Sequence, residues 1–261
     1  LKMGIPTIAK EKIAQLMELA HHVSEIVNRP VPVQQPYVGR SAFAHKGGVH
    51  VSAVLQNART YEHMDPGLVG NARHLPVSEL SGVNTLVHKA QAFGVDLSKE
   101  NPESKALLTQ LKDLENQGFH FEEGEASFEL MVKRHLKLFK PFFTFEGFKI
   151  ISDKLADGTN VIEASIKVRV NGNLSHTAAE GAGPVNALDN ALRKALAPAY
   201  PEIKSMKLTD YKVRVLDSKD GTAANVRVLI ESCDETHCWG TVGVSTNILE
   251  ASWQALVDSV E

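Results

Sequence analysis

Several classes of protein are excluded by what this chain lacks. Two of its 261 residues are cysteine, Cys233 and Cys238, too few for a disulfide framework. Spaced C-x4-C beside the single His237 they do not make a zinc site either, and reduced thiols are the expectation. No apolar run approaches the roughly 20 residues that span a bilayer, and the opening LKMGIPTIAKEK has no signal-peptide core. No membrane is expected as partner, and the chain reads as cytoplasmic. There is no long basic block and the net charge is -3, so nucleic acid is not an expected partner. The densest basic run, Lys133, Arg134, His135, Lys137 and Lys140, reads as the solvated end of one helix. What remains is ordinary globular composition, 43% hydrophobic and 23% charged, at a length that suits about two domains.

The amino-terminal part reads as helix and loop. Residues 8 to 27 place Ile13, Leu16, Met17, Ala20, Val23 and Val27 on one face, and Asn28, Pro30 and Pro32 stop the helix. His21 and His22 are adjacent and diverge by about 100° on a helix, which makes them poor co-ligands. The segment 29 to 61 is proline-punctuated and then glycine-rich, gathering His45, Gly47, Gly48, His50 and Tyr61. His45 suits a loop-stabilising hydrogen bond. Another helix begins near Ser81 and stops at Gly94. In the next, Asn101 caps, Pro102 takes the first helical place, Leu107, Leu108, Leu111 and Leu114 form the stripe, and Gly118 ends it. A further helix covers about 122 to 136.

From about residue 145 the pattern changes, and it is written twice. An offset of 61 residues pairs His176 with His237, Asn186 with Asn247, Leu188 with Leu249 and Leu192 with Trp253. Upstream, Asp157-Gly158-Thr159 answers Asp220-Gly221-Thr222. The alternating runs Ile166, Val168, Val170 and Val226, Val228, Ile230 have the period of a sheet with one wet face. Each helix that follows carries one apolar stripe. The expected fold class is α+β: helical subdomains over 1–144, then over 145–261 a pseudo-twofold pair of β-β-β-α units.

Chemistry in that repeat is expected at its loops. In Gly181-Ala182-Gly183-Pro184 the glycines allow close backbone approach, and Pro184 opens a helix whose free N–H groups suit a carboxylate or phosphate. Gly243, Val244 and Ser245 are the expected counterparts in the second copy, with Val185 and Val244 as apolar walls. The same glycines would also serve tight strand–helix packing, and the residues alone leave both readings open.

The stretches SAFAHKGGVHVSAV (41 to 54), TYEHMDPGLVGN (60 to 71), AEGAGPVNALDNALRKAL and the opening LKMGI resemble the 2-isopropylmalate synthase and citramalate synthase family, most closely its citramalate branch. The resemblance covers essentially the whole chain and implies linker subdomains followed by a regulatory domain. That domain would form a homodimer and bind a branched-chain amino acid, isoleucine or leucine, as feedback inhibitor. It also implies a catalytic (β/α)8 barrel as partner, where acetyl-CoA, a 2-oxo acid and a divalent metal bind. None of that barrel is in this sequence, so no metal ligand or cofactor is assigned here and the chain is expected to be inactive alone. His50 and Tyr61 fall on the family's catalytic histidine and tyrosine, lent by the linker to a neighbouring barrel. An imidazole shuttles protons near neutral pH, and a phenol donates to a developing enolate oxygen. Ser52 stands where many members have an acidic residue. The competing reading is a self-standing amino-acid-binding or dimerisation module.

Overall fold

The structure is a computed structural model that describes residues 5, 8–78, 80–217, 221 and 223–261. Leu1 to Gly4 of the opening motif, and Asp220 and Thr222 of the second Asp-Gly turn, lie outside the described residues. The chain packs as two units, Leu1–Leu108 and Thr109–Glu261.

In the first unit the helix expected over 8 to 27 is two, α1 (Lys10–Ile13) and α2 (Leu16–Val27). The break at Ala14 coincides with a close approach to Gly70, where a Cβ would stand 2.1 Å from the Ala14 carbonyl oxygen. Asn28 ends α2 in the left-handed region, φ 50°, as a helix-stopping asparagine does. No residue of α2 is fully buried, and Leu19, Val23, Ile26 and Val27 stay exposed. The glycine-rich segment contains a helix that its composition hides, α3 (Gly48–Gln56), anchored by buried Val51 and Val54. Two glycines at a helix entry depress propensity, and tertiary burial overrides them. α4 (Val83–Ala92) follows, and α5 (Pro102–Asn116) is capped by the Asn101 Oδ1, which accepts the Glu103 N–H at 3.0 Å.

The second unit holds α6 (Glu125–His135) and two three-stranded antiparallel sheets. Sheet one is β1 (Phe143–Lys154), β2 (Asn160–Val170) and β3 (Asn173–Glu180), covered by α7 (Pro184–Leu196). Sheet two is β4 (Lys207–Val215), β5 (Val226–Cys233) and β6 (Cys238–Ser245), covered by α8 (Ile248–Val260). One core joins the halves: Ile166, Val168, Leu188, Leu192, Ile230 and Leu256 are buried in it. Trp253 of α8 packs its ring 4.8 Å from Phe145 of β1. At Gly158, φ 88°, the first hairpin makes the left-handed turn that favours glycine.

The repeat is real, with a different register. Ile166 faces Thr177 across β2–β3 and Ile230 faces Thr241 across β5–β6. Thr177 Oγ1 donates to the Ala191 carbonyl, and Thr241 Oγ1 to the Ala255 carbonyl, each at 2.8 Å. These matched pairs are separated by 64 residues rather than 61. His176 therefore corresponds to Gly240, not His237, and lies in a strand rather than a loop.

Two further expectations differ. The packing divides the chain before residue 144, because α6 belongs with sheet two: Ser127 Oγ accepts the Val242 N–H at 3.0 Å, and a Cβ on Gly240 would sit 1.9 Å from the Glu123 carbonyl oxygen. The cysteines are not free thiols. Cys233 and Cys238 are cross-strand partners at the end of the β5–β6 hairpin, Cα atoms 4.1 Å apart, and are disulfide-bonded. C-x4-C spans a four-residue hairpin turn, and the register of the two strands supplies the proximity that spacing rules for zinc do not consider.

No helix among the described residues is long and apolar enough to cross a membrane.

Candidate functional site

The structure brings His50 and Tyr61 together. His50 lies in the first turn of α3, and after Gln56 the chain reverses through Asn57, whose Oδ1 accepts the Arg59 N–H at 3.1 Å. The Thr60 hydroxyl donates to the Asn57 carbonyl at 2.8 Å, closing the turn. Tyr61 is thereby laid back along the helix, its ring stacked on the His50 imidazole with centroids 4.1 Å apart and planes 24° apart. Both rings are open to solvent on their outer side, Tyr61 being 47% exposed, so the pair can meet a reactant brought from outside. Ser52, two residues along, accepts a hydrogen bond from Asn84 Nδ2 of α4 at 2.9 Å. Its hydroxyl is engaged in fixing α3 to α4.

Beside the stack is a polar network that the sequence reading passed over except for His45. Glu62 is buried, and Arg73 grips it with both arms, Nε to Oε1 at 2.6 Å and a second guanidinium nitrogen to Oε2 at 2.7 Å. His45 Nε2 reaches Oε1 at 3.1 Å, the loop-stabilising role expected of that histidine. The Arg73 hydrogen bonds hold the Glu62 carboxyl below its ordinary value against the opposing effect of burial, and the same bonds raise Arg73. Glu62 and Arg73 line a cleft of about 840 Å³ with Arg59, His63, Asp65 and Leu68. The acidic residue immediately after a candidate catalytic tyrosine was the available signal.

The first glycine loop divides its labour. The Gly181 N–H is spent on the Ile162 carbonyl at 3.1 Å, and a Cβ there would stand 2.3 Å from the Ala187 nitrogen. Gly181 is therefore a strand–helix packing residue and no free donor. The Ala182 N–H is taken by Asn186 Oδ1 at 3.0 Å. Gly183 is extended, φ -160°, and a Cβ added to it meets nothing within 4 Å. No side chain caps the entry to α7; Pro184 has no N–H to offer, the Ala187 N–H donates to the Gly183 carbonyl at 2.9 Å, and the N–H groups of Val185 and Asn186 have no intrahelical partner. Next to that entry Val185 lines a cleft of about 690 Å³ with Asn186, Asp189, Arg193, Met206, Leu208 and Tyr211.

The expected counterparts in the second copy lie elsewhere. Gly243, Val244 and Ser245 belong to β6, not to a loop. Gly243 is tight against α8, its Cβ position 2.0 Å from the Ala251 carbonyl oxygen. The Val244 N–H donates to Gln254 Oε1 at 3.0 Å, and Ser245 Oγ accepts the Asn247 N–H at 3.1 Å. The topological match to Gly183 is Asn247, which caps α8 by accepting the Leu249 N–H at 2.9 Å. The 61-residue offset slid the comparison by three residues. Corrected, the two helix entries are chemically unequal: α8 satisfies its own N-terminus and α7 does not.

Among the described residues no group of three or more His, Cys, Asp or Glu side chains is arranged to hold a metal ion.

Two family models match, the LeuA allosteric (dimerisation) domain over residues 124–261 and the homocitrate synthase post-HMGL domain-like family over residues 37–118. The chain belongs to the LeuA allosteric (dimerisation) domain family. Its two sheets and covering helices are thus a LeuA-type domain, and the segment with His50 and Tyr61 is of the post-HMGL type. Among curated relatives, the (R)-citramalate synthase of Aquifex aeolicus is 52% identical over all of this chain and 49% of its own length. Those of Geobacter sulfurreducens and Synechocystis are 51% and 49% identical over all of this chain, covering 50% and 48% of their lengths. The chain spans about half the length of the curated relatives it matches, their carboxyl-terminal part.

Proposed function

We propose that this chain is the linker and feedback-regulatory part of an acetyl-CoA-dependent citramalate synthase, an acyltransferase condensing acetyl-CoA with pyruvate on the way to isoleucine. The LeuA-type domain dimerises and binds isoleucine as inhibitor. His50 and Tyr61 are lent to a catalytic barrel, His50 moving a proton and Tyr61 donating to the enolate oxygen. The relatives named above supply the reaction.

The observation that carries the regulatory reading is the uncapped entry of α7 opening beside an apolar-walled cleft. The free N–H groups of the first turn suit the α-carboxylate of an amino acid. Val185, Leu208 and Tyr211 suit an aliphatic side chain, and the Asp189 carboxylate, paired with Arg193 Nε at 2.9 Å, has lone pairs left for the ammonium group. A branched aliphatic amino acid meets all three requirements. The exposed apolar residues of α2 favour a chain that works against another domain over a self-standing module.

Calorimetric titration with isoleucine, leucine and valine, with mass in solution measured alongside, tests this. Saturable binding that prefers isoleucine on a dimer is the expected result. A leucine preference moves the chain to the 2-isopropylmalate branch, and absence of binding by the folded dimer removes the α7 site as proposed.

A further inference from the structure

Among the described residues of the first unit, Glu62 is the one charged residue that is buried. A buried carboxylate is costly unless it is paired, and removing one partner costs more than the pair contributes. Its partners are therefore informative, because they lie on two other segments. His45 sits three residues before α3, and Arg73 lies eleven residues after Glu62. Those two segments are welded to each other by the main chain: the His74 N–H donates to the Phe43 carbonyl at 3.1 Å, and the His45 N–H to the His74 carbonyl at 3.0 Å. The Tyr61 segment makes only local main-chain bonds by comparison, Tyr61 N–H and Glu62 N–H both to the Ala58 carbonyl. The Glu62 side chain fastens that turn to the welded platform by its bonds to Arg73 and His45, beside the His63 ring, which stacks 6.5 Å from that of Phe43, and Tyr61 rides on the turn.

We propose that Glu62 is a positioning residue whose carboxylate, gripped by Arg73 and His45, holds the Tyr61 ring stacked on His50. The inference rests on the reading of His50 and Tyr61 as the lent pair. Glu62 itself touches no reacting atom. Two exposed rings attract each other weakly, so the stack cannot order the turn unaided. A short, charge-assisted bidentate fork is directional enough to do so. The acid needed next to the tyrosine is thus spent on geometry, where a general acid or base would need a free carboxyl group facing the reactant.

The test reads the stack directly, in this chain, from the proton resonances of the His50 ring, which feel the ring current of Tyr61. Tyr61→Leu gives the shift without that ring. Glu62→Gln keeps the shape but sets an amide NH2 against the Arg73 fork, and Arg73→Lys keeps the charge but loses the fork. In both variants the His50 resonances are expected to move at least about half of the way to their Tyr61→Leu positions, while amide signals of residues 109–261 stay in place. Placed in the complete enzyme, the same variants lower kcat by about tenfold or more with KM changed less than about twofold, the signature of lost positioning and not of lost binding. Unmoved His50 resonances in both variants overturn the inference. Moved resonances with normal turnover uphold the clamp and remove the catalytic reading of the pair, so the two fail separately. If either variant leaves the first unit unfolded, Glu62→Asp, which keeps the charge but draws the carboxylate back from the Arg73 fork by one methylene, is read in the same way.

Discussion

At the residue scale the two glycines of one loop are predicted to part company. Gly181→Ala puts a methyl against the backbone of α7, where neither neighbour is the tip of a flexible side chain. It should destabilise the second unit by about 1–3 kcal/mol or more, read in the denaturant midpoint. Gly183→Val leaves the midpoint almost unchanged, since its Cβ occupies open space, and weakens isoleucine binding at least about tenfold by blocking backbone approach. Wild-type affinity in a folded Gly183→Val protein would remove the loop from the site. His50→Ala should leave effector binding intact yet cripple turnover in the complete enzyme. His50 and Tyr61 were legible because a long motif carried them. Glu62 was not, because its meaning depends on Arg73 and His45, and spacing along the chain does not reveal a shared partner. Gly181 and Gly183 look alike in sequence, and only the position of Ala187 separates them.

At the element scale α8 carries a charge that its surroundings disfavour. Asp258 is raised above its ordinary value chiefly by burial, with Arg134, 2.8 Å away, acting in the opposite sense. It also sits in the last turn, where the helix dipole disfavours an anion. A carboxyl group whose folded pKa is raised binds its proton more tightly folded than unfolded. Its ionisation therefore costs stability above the folded value, and that cost disappears as pH falls below the unfolded value. Asp258→Asn should raise the melting temperature of the second unit at pH 7, with the gain vanishing near pH 3. A gain that persists at pH 3 would show that charge is not its source. The hairpin disulfide belongs to this scale as well. Closing a loop this short is worth about 2 kcal/mol in the chain-entropy account, so reduction should lower the midpoint modestly without unfolding the hairpin, which Asp234 also braces by accepting two backbone N–H groups. Period and turn chemistry made β2, β5, α7 and α8 readable. Register did not follow, because side-chain resemblance favoured His176 with His237 while the strands align Thr177 with Thr241.

At the scale of the whole molecule, the α+β class and the helix-then-repeat order follow from pattern. The division at Leu108 does not, since α6 is tied to the second unit by Ser127 and Gly124 at β6 and by Arg134 at Asp258, small or charged residues with no hydrophobic signal. The division into two units makes a further prediction about where effector energy appears. A ligand that binds only the native state stabilises by about 2.7 kcal/mol at a hundred times its Kd. With isoleucine at that excess, amide exchange in this chain should slow within residues 109–261, most of all in α7 and β2, and leave α3 and the Tyr61 turn at their unliganded rates. The reason is that linkage reaches only groups whose state differs between the free and bound forms, and the residues of the α7 cleft all lie within the second unit. Slowed exchange around Val51 and Val54 of α3 would instead mean that this chain contains a two-state element biased by the effector. α5, whose residues fall on both sides of the division, would then be the first place to look.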